Sequence, residues 1–353
     1  MSKRLLLHVL LLSALAGAVS GEPQFSASLS DIRTSWDFLA GVLPCGLEGK
    51  FYLKYLPSLP FCIPDHSSVV LKLCAGYEEK SISRDDATGE PDVSSADYAS
   101  PNFQWELTYN QGLIGKEKNG DLLKVWSSWH GRVDGNLGPT VASIFPDRNG
   151  TFINSIVGGV TFDSTLRDTH GIKSGLSSEV SCEWGPTFLS SSGTDFVMLE
   201  FVNKGYVPLF DLSSESNLFS GFLAFRFITD YTTGTQVPLF RLNSIPVRGT
   251  KNAFDTALRS TLNSEVRLNL PSVWGKNDIM PMVIGFVDLG CYYGYNDVYG
   301  TAASRVDDSG FLASAGALVA VCVLDFAYPS VYVAFPLYGE TKFKVGFKFK
   351  LQF

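Results

Sequence analysis

The sequence predicts an all-β protein, a transmembrane antiparallel β-barrel of about 14 strands, within a range of about 12 to 16. Most of the chain alternates apolar and polar residues with a period of two, which is typical of strands. After the N-terminal segment, no apolar stretch is long enough for a helix to cross a bilayer. Only 18% of residues are charged, whereas soluble domains have about 25%. Together these observations favour strands that face lipid.

The composition excludes several classes of protein. The chain has 353 residues with a net charge of −7, and 45% of them are hydrophobic and 13% aromatic. A disordered chain would have few aromatic residues and a high charge. A nucleic-acid-binding protein would carry a basic surface and an alkaline pI, so the acidic balance predicts no nucleic-acid partner.

The first 20 residues are predicted to be a signal peptide. Lys3 and Arg4 precede an apolar run over 5–12, and Ala18 and Ser20 occupy the −3 and −1 positions of a cut before Gly21. The alternative is a membrane anchor, but the apolar run is shorter than the ~20 residues of a spanning helix. Residues 21–45 then form an N-terminal segment with a weak candidate strand near 33–43, and residues 46–353 form the barrel.

The last strand shows the alternation most clearly. Residues 341–353 read TKFKVGFKFKLQF, in which Phe343, Val345 and Phe347 fall on one face and four lysines on the other. Similar alternation predicts further strands near 46–56, 67–78, 101–112, 121–134, 153–165, 171–184, 195–208, 217–229, 258–270, 279–293, 309–321 and 323–336. An even strand number would place both chain termini on the periplasmic side.

Aromatic residues near the strand ends suit the interfacial girdles of a barrel, and the alternative for any one of them is ordinary packing. They are Trp126, Trp129, Tyr206, Tyr292, Tyr293 and Tyr338.

The sequence shows no motif of a known type of enzyme active site. The four histidines show no metal-ligand spacing, and no nucleophile elbow, phosphate loop or dinucleotide fingerprint is present. We therefore predict no catalytic residues, no cofactor and no metal. The six cysteines could form disulfides or could be buried free thiols on strands. If disulfides form, Cys45 and Cys62 are the most local pair. The other cysteines are Cys74, Cys182, Cys291 and Cys322.

One arginine in a long connection is predicted to be held inside the barrel. Val247, Arg248 and Gly249 follow the strand at 217–229 after a long link. An arginine that leaves bulk water needs partners for five N–H donors, and a carboxylate accepts two of them in a fork. Asp288 and Glu265 would face inward on neighbouring strands. The alternative is a solvated loop arginine and a hydrated carboxylate.

The order of motifs resembles the barrel of the bacterial surface antigen family, the outer-membrane assembly and translocation superfamily. In that family, a loop with V-R-G and an aromatic residue folds into the lumen, and its arginine meets the aspartate of a later G-F-x-D-x-G segment. Here the sequence has Val247-Arg248-Gly249-Thr250, Gly285-Phe286-Val287-Asp288-Leu289-Gly290 and then Ser314-Ala315-Gly316-Ala317. The resemblance covers residues 153–353, and Thr250 departs from the family's aromatic residue.

The same resemblance implies two further groups of site residues. Asp163, Arg167 and Asp168 match the family's turn before the next strand. Phe349, Leu351 and Phe353 match its C-terminal insertion signal.

The resemblance implies an integral outer-membrane barrel that inserts or translocates proteins or lipids, in contact with outer-membrane lipid. About 25 residues separate the signal from the first clear strand, too few for the POTRA domains of the family. A separate periplasmic partner, POTRA-type or chaperone, would then supply the client-binding part. The alternatives are a passive pore or surface-antigen barrel without assembly activity, and a secreted β-sandwich.

Overall fold

The structure is a computed structural model. It describes residues 24–29, 46–55, 66–82, 96–115, 121–135, 151–167, 173–190, 194–213, 219–238, 247–249, 257–273, 279–294, 309–323, 329–339 and 343–348.

Strands account for most of these residues. In chain order they are β1 Gln24–Leu29, β2 Gly46–Tyr55, β3 Ser67–Ile82, β4 Ala96–Gly115, β5 Asp121–Asp134, β6 Thr151–Asp163, β7 Leu166–Arg167, β8 Lys173–Gly185, β9 Asp195–Asp211, β10 Ser220–Gln236, β11 Leu258–Asn269, β12 Ile279–Tyr293, β13 Ser309–Val323, β14 Ser330–Tyr338 and β15 Lys344–Lys348. A 3-10 turn, Thr187–Leu189, follows β8. Within the described ranges, no helix is long and apolar enough to cross a membrane.

The strands form one antiparallel sheet in chain order, from β1 through β6 and then from β8 to β15, while the short β7 pairs with β8. Consecutive strands run in opposite directions, so the strand ends form two rims. We name the rim where β10 ends and β11 begins the upper rim, and the opposite one the lower rim. β1 begins and β15 ends towards the lower rim, because fourteen strands follow this path.

All thirteen clear strands of the sequence prediction correspond to strands of the structure. The start predicted at 323 for the strand now named β14 is wrong, since β13 continues to Val323 and β14 begins at Ser330. The apolar run over 311–324 gives no periodic signal that could mark this boundary. The strand β1 was not predicted, and the weak candidate at 33–43 lies outside the described residues.

The two faces of the sheet differ in polarity. Ile284, Phe286 and Asp288 of β12 are buried, whereas Val287 between them is 43% exposed. We call the buried face the inner face. It carries charged and hydroxyl groups with little or no exposure, among them Asp288, Ser314, Ser220, Asp134 and Glu183. The outer face exposes large apolar residues on several strands, namely Ile156, Val160, Val180, Leu199, Val266, Val319, Val331 and Phe335. This arrangement is typical of a barrel with a polar interior and an apolar exterior.

The aromatic girdle prediction is wrong for three of its six residues. Trp126 donates its indole N–H to Thr161, which is buried on the inner face. Tyr206 packs against buried Phe222 and Ala224, and Tyr292 against two buried residues of the site described below. An amphipathic aromatic ring suits either a wet interior or a membrane interface, so its position near a strand end does not decide its face. Trp129, Tyr293 and Tyr338 lie on the outer face.

Candidate functional site: a loop locked to the inner wall

The described parts of the connection between β10 and β11, residues 237–257, lie against the inner face of the sheet. We call this connection the lumen loop. Its described residues Val237 and Val247 are 0% and 4% exposed. Val247 packs against Leu312 of β13 and Tyr292 of β12. The segment around Val247 is therefore held against the wall.

Arg248 forms a fork with Asp288. Its Nε donates to Oδ2 of Asp288 at 2.6 Å and its Nη2 donates to Oδ1 at 2.7 Å. The backbone N–H of Arg248 donates to the same Oδ2 at 3.0 Å. Two parallel N–H···O bonds fix orientation as well as distance. Asp288 is fully buried, so this fork is screened by water far less than a surface pair.

Glu265 adds a second carboxylate to the same guanidinium. Nη1 of Arg248 donates to Oε1 of Glu265 at 2.9 Å. The other oxygen of Glu265 accepts from Arg267, at 2.8 Å from Nε and 2.6 Å from Nη2. Asn263 donates to Oδ1 of Asp288 at 3.0 Å. The result is a continuous network from β12 through the lumen loop to β11, which we call the lock.

An aromatic ring supports the guanidinium of Arg248 from one side. Its Cζ lies 3.5 Å from the ring centroid of Phe286, which is a cation–π contact. Phe286 faces Gly316 across the β12–β13 ladder. A side chain at position 316 would collide with the Phe286 ring and with the carbonyl of Val333. Gly316 therefore leaves the space that the ring occupies.

Gly249 follows Arg248 in the lumen loop and has a φ of 89°. This left-handed conformation favours glycine, because a Cβ crowds the backbone there. Arg248 and Gly249 lie in a turn, and the side chain of Arg248 points to the wall.

The charges of the lock stabilise the cationic form of Arg248. Burial by itself opposes that form, but the hydrogen bonds and charges of Asp288 and then Glu265 outweigh it and raise the pKa of Arg248 above its ordinary value. The guanidinium therefore stays charged, and the lock is held by ion pairs.

A second buried pair lies near the base of the lumen loop. Asp230 on β10 and Arg259 on β11 are register partners, and Nε of Arg259 donates to Oδ2 of Asp230. Both side chains are largely buried. This pair joins the two strands that the loop connects.

The other predicted site residues lie apart from the lock. Asp163 ends β6, where Oδ1 accepts from the backbone N–H of Thr165 at 2.9 Å and from its hydroxyl at 2.6 Å. Arg167 belongs to β7, whereas Asp168 lies outside the described residues. Phe349, Leu351 and Phe353 also lie outside them, as do Cys45 and Cys62. Among the described residues, no group of three histidine, cysteine or acidic side chains is arranged to hold a metal ion.

The structure thus brings together Val247, Arg248, Glu265 and Asp288. The sequence argument did not single out Phe286, Gly316, Asn263 and Arg267 as site residues. Asn263 and Arg267 share the inward parity of Glu265 on β11, so face assignment alone could have found them. Phe286 and Gly316 are part of the quoted motifs, but their contact with each other depends on the β12–β13 register.

No family model matches the sequence, and no curated protein matches it. A structure of BamA from Haemophilus ducreyi lacking POTRA domains 1–3 is similar in fold, with a TM-score of 0.55 and 15% identity over 94% of this chain and 70% of that chain. A bacterial polysaccharide outer membrane secretin covers 95% of this chain and 99% of that one, at 11% identity, but its TM-score is only 0.41. The chain is therefore an all-β protein with the antiparallel barrel fold found in BamA.

Proposed function

We propose that the chain is exported and acts as an integral outer-membrane barrel in the insertion or translocation of proteins or lipids. A separate periplasmic partner, of POTRA or chaperone type, binds the clients. The barrel itself performs no covalent chemistry and needs no cofactor or metal.

The observation that carries this proposal is the lock between the lumen loop and the wall. Arg248 contacts two carboxylates through three side-chain hydrogen bonds, stacks on an aromatic ring and donates a fourth hydrogen bond from its backbone. Breaking a buried pair leaves an uncompensated charge. The segment around Arg248 is therefore held inside the barrel, where it can shape the path of a client.

The exterior supports the membrane location. Residues of one parity on β6, β8, β13 and β14 expose apolar side chains, such as Val160, Val180, Val319 and Val331, each at least 45% exposed. In water this surface would be a large apolar patch, which soluble monomers rarely expose. In a bilayer it is the surface that contacts the acyl chains.

The experiment is depletion of the protein in its own host, followed by replacement with variants. Assembly activity predicts that depletion lowers the amounts of several other outer-membrane proteins or of an outer-leaflet lipid. Wild-type protein should restore them, and Arg248→Ala and Asp288→Ala should not. Arg226→Gln is the matched control, because Arg226 lies on the wall of β10 with its side chain exposed.

Two results would contradict the proposal. If depletion abolishes only the uptake of a solute, the barrel is a pore. If the lock variants reach wild-type levels in the membrane and restore the lost components fully, the lock has no part in the activity. Co-purification from mild detergent should in addition recover a periplasmic partner that carries POTRA or chaperone domains.

A further inference from the structure

One amide side chain occupies an outward position in an otherwise apolar row. On β6, Phe152, Ile156 and Val160 point outward and are 41%, 46% and 45% exposed. Asn154 has the same parity, yet it is only 5% exposed. An amide that faced hydrocarbon without hydrogen-bond partners would be strongly disfavoured, so neighbouring groups must cover Asn154.

Both ends of the Asn154 amide have partners. Its Oδ1 accepts from the indole N–H of Trp129 at 3.1 Å, and its Nδ2 donates to the carbonyl of Leu189 at 2.8 Å. The backbone N–H of Asn154 donates to the hydroxyl of Ser190 at 3.4 Å. Because β8 ends at Gly185, the 3-10 turn Thr187–Leu189 fills the place beside β6 that the strand leaves open. Asn154 thus fastens this turn to the barrel wall at the upper rim.

Aromatic residues surround the fastened turn. Trp105 lies 6.3 Å from Trp129 and 5.8 Å from Phe152 between ring centroids, and Trp184 lies 5.9 Å from Phe188. Phe188 on the turn is 57% exposed and Trp184 is 45% exposed. We call these residues, together with Phe103, the upper aromatic patch.

We propose that the 3-10 turn Thr187–Leu189 and the upper aromatic patch bind the lipid surface, at the boundary between headgroups and acyl chains. The patch is continuous with the exposed apolar rows of β6 and β8, so the same bilayer that covers Val160 and Val180 reaches it at the upper rim. Tryptophan rings with a polar N–H and a large apolar body prefer this depth. The turn adds Phe188 to the contact, and Asn154 holds it there.

This inference rests on the membrane location in the proposed function, but not on assembly activity. It also explains why a polar residue lies in the lipid-facing row. The hydrogen bonds of Asn154 are made to a neighbouring strand and to the turn, and both partners keep its amide away from hydrocarbon.

The test measures the depth of a fluorescent probe in reconstituted lipid vesicles. In full-length protein whose native cysteines are replaced by serine or alanine, single cysteines carry an environment-sensitive probe at Thr187→Cys, Val180→Cys or Arg226→Cys. Thr187 is exposed on the turn beside Phe188, Val180 is 56% exposed on the outer face of β8, and Arg226 is exposed on the wall of β10. The vesicles contain lipids with a quencher either near the headgroup or deep in the acyl chains.

The probe at position 187 should be quenched more by the shallow quencher than by the deep one. The probe at 180 should show the reverse order, and the probe at 226 should respond little to either. If 180 is quenched and 187 by neither quencher, the barrel is in the membrane but the turn is not, and the inference fails. If neither 180 nor 187 is quenched, the membrane location itself fails.

Removing the fastening residue gives a second readout. Asn154→Leu keeps the side-chain volume similar but loses both amide hydrogen bonds. We expect the probe at 187 to lose most of its shallow quenching, while the probe at 180 keeps its own. Ser190→Ala is the matched control, because it removes only the longer bond to the backbone. Unchanged quenching at 187 in Asn154→Leu would show that the amide does not hold the turn.

Discussion

At the scale of single residues, the lock is a balanced set of charges. Two guanidinium groups, Arg248 and Arg267, meet two carboxylates, Glu265 and Asp288. Each charge that leaves water has an opposite partner within hydrogen-bond distance, which offsets its desolvation. Removing any one member leaves a net charge in the interior.

Arg248→Ala and Asp288→Ala should each lower the free energy of unfolding by about 3–5 kcal/mol, since each leaves a buried charge without its partner. The double variant should lose clearly less than the sum of the two, because the residues contact each other. Urea unfolding of the barrel in lipid vesicles measures all three values. Strictly additive losses would mean that the two residues do not act as a pair.

Arg248→Lys separates charge from geometry. A lysine keeps the positive charge but cannot form the fork or lie flat on the Phe286 ring. Its loss of stability should fall between those of wild type and Arg248→Ala in the same measurement. A lysine variant as stable as wild type would show that the fork contributes nothing beyond its charge.

Substitutions of two glycines on neighbouring strands test whether the Phe286 ring, which stacks on Arg248, needs the space at Gly316. Gly316→Ala should destabilise the barrel by about 1–3 kcal/mol, as overpacking does, because the new methyl group meets the Phe286 ring and the Val333 carbonyl. Gly285→Ala is the control, because a Cβ there meets nothing within 4 Å. Thermal unfolding in detergent compares the two variants. Equal effects would mean that the fit between Gly316 and Phe286 is not important.

At the scale of elements, the last strand follows the alternation of its sequence. Gly346 of β15 pairs with buried Tyr332, and Val345 pairs with Val333 of the opposite parity. Phe347 is the register partner of Val331, which is 47% exposed, and Lys348 is the partner of Ser330. Cross-strand partners share a face, so Lys344, the partner of fully buried Ala334, is inward, whereas Phe343 is 60% exposed on the outer face.

Phe347→Arg should therefore reduce stable insertion, since an arginine on the lipid face costs about 2–4 kcal/mol at the midplane. Lys348→Gln should be tolerated, because an uncharged polar side chain suits the interior. The amount of heat-modifiable barrel in the membrane fraction measures both. Equal tolerance of the two substitutions would reverse the assignment of the faces.

Periodicity predicted which residues of an element share a face. It did not predict whether that face is the inner or the outer one where contacts with other elements decide this. Glu265 could be placed inward because polar residues of one parity alternate with apolar residues of the other over 262–270, whereas Asp288 is the only charged residue over 279–293 and was indicated by its motif. Trp126 could not be placed from periodicity, because its ring suits both faces and its contact with Thr161 is set by the register of β5 with β6. Asn154 breaks the apolar parity of β6, and only the turn after β8 explains it.

At the scale of the whole molecule, the sequence was sufficient for the fold class and for about 14 strands, because alternation is repeated along the chain. It was not sufficient for β1, which is six residues long and depends on pairing with β2. It also placed the beginning of β14 too early, within a run without charged residues. The lock combines three distant segments, and the family-like motifs indicated them before the register showed how they meet.

The central claim is that the lumen loop is docked inside a membrane-embedded barrel. The most direct measurement is disulfide formation in intact membranes, in a background without native cysteines. Val247→Cys with Leu312→Cys should crosslink, because Val247 and Leu312 pack together inside. Val247→Cys with Phe311→Cys should not, because Phe311 is 45% exposed on the outer face. Crosslinking of both pairs to the same extent, or of neither pair, would contradict the docked loop.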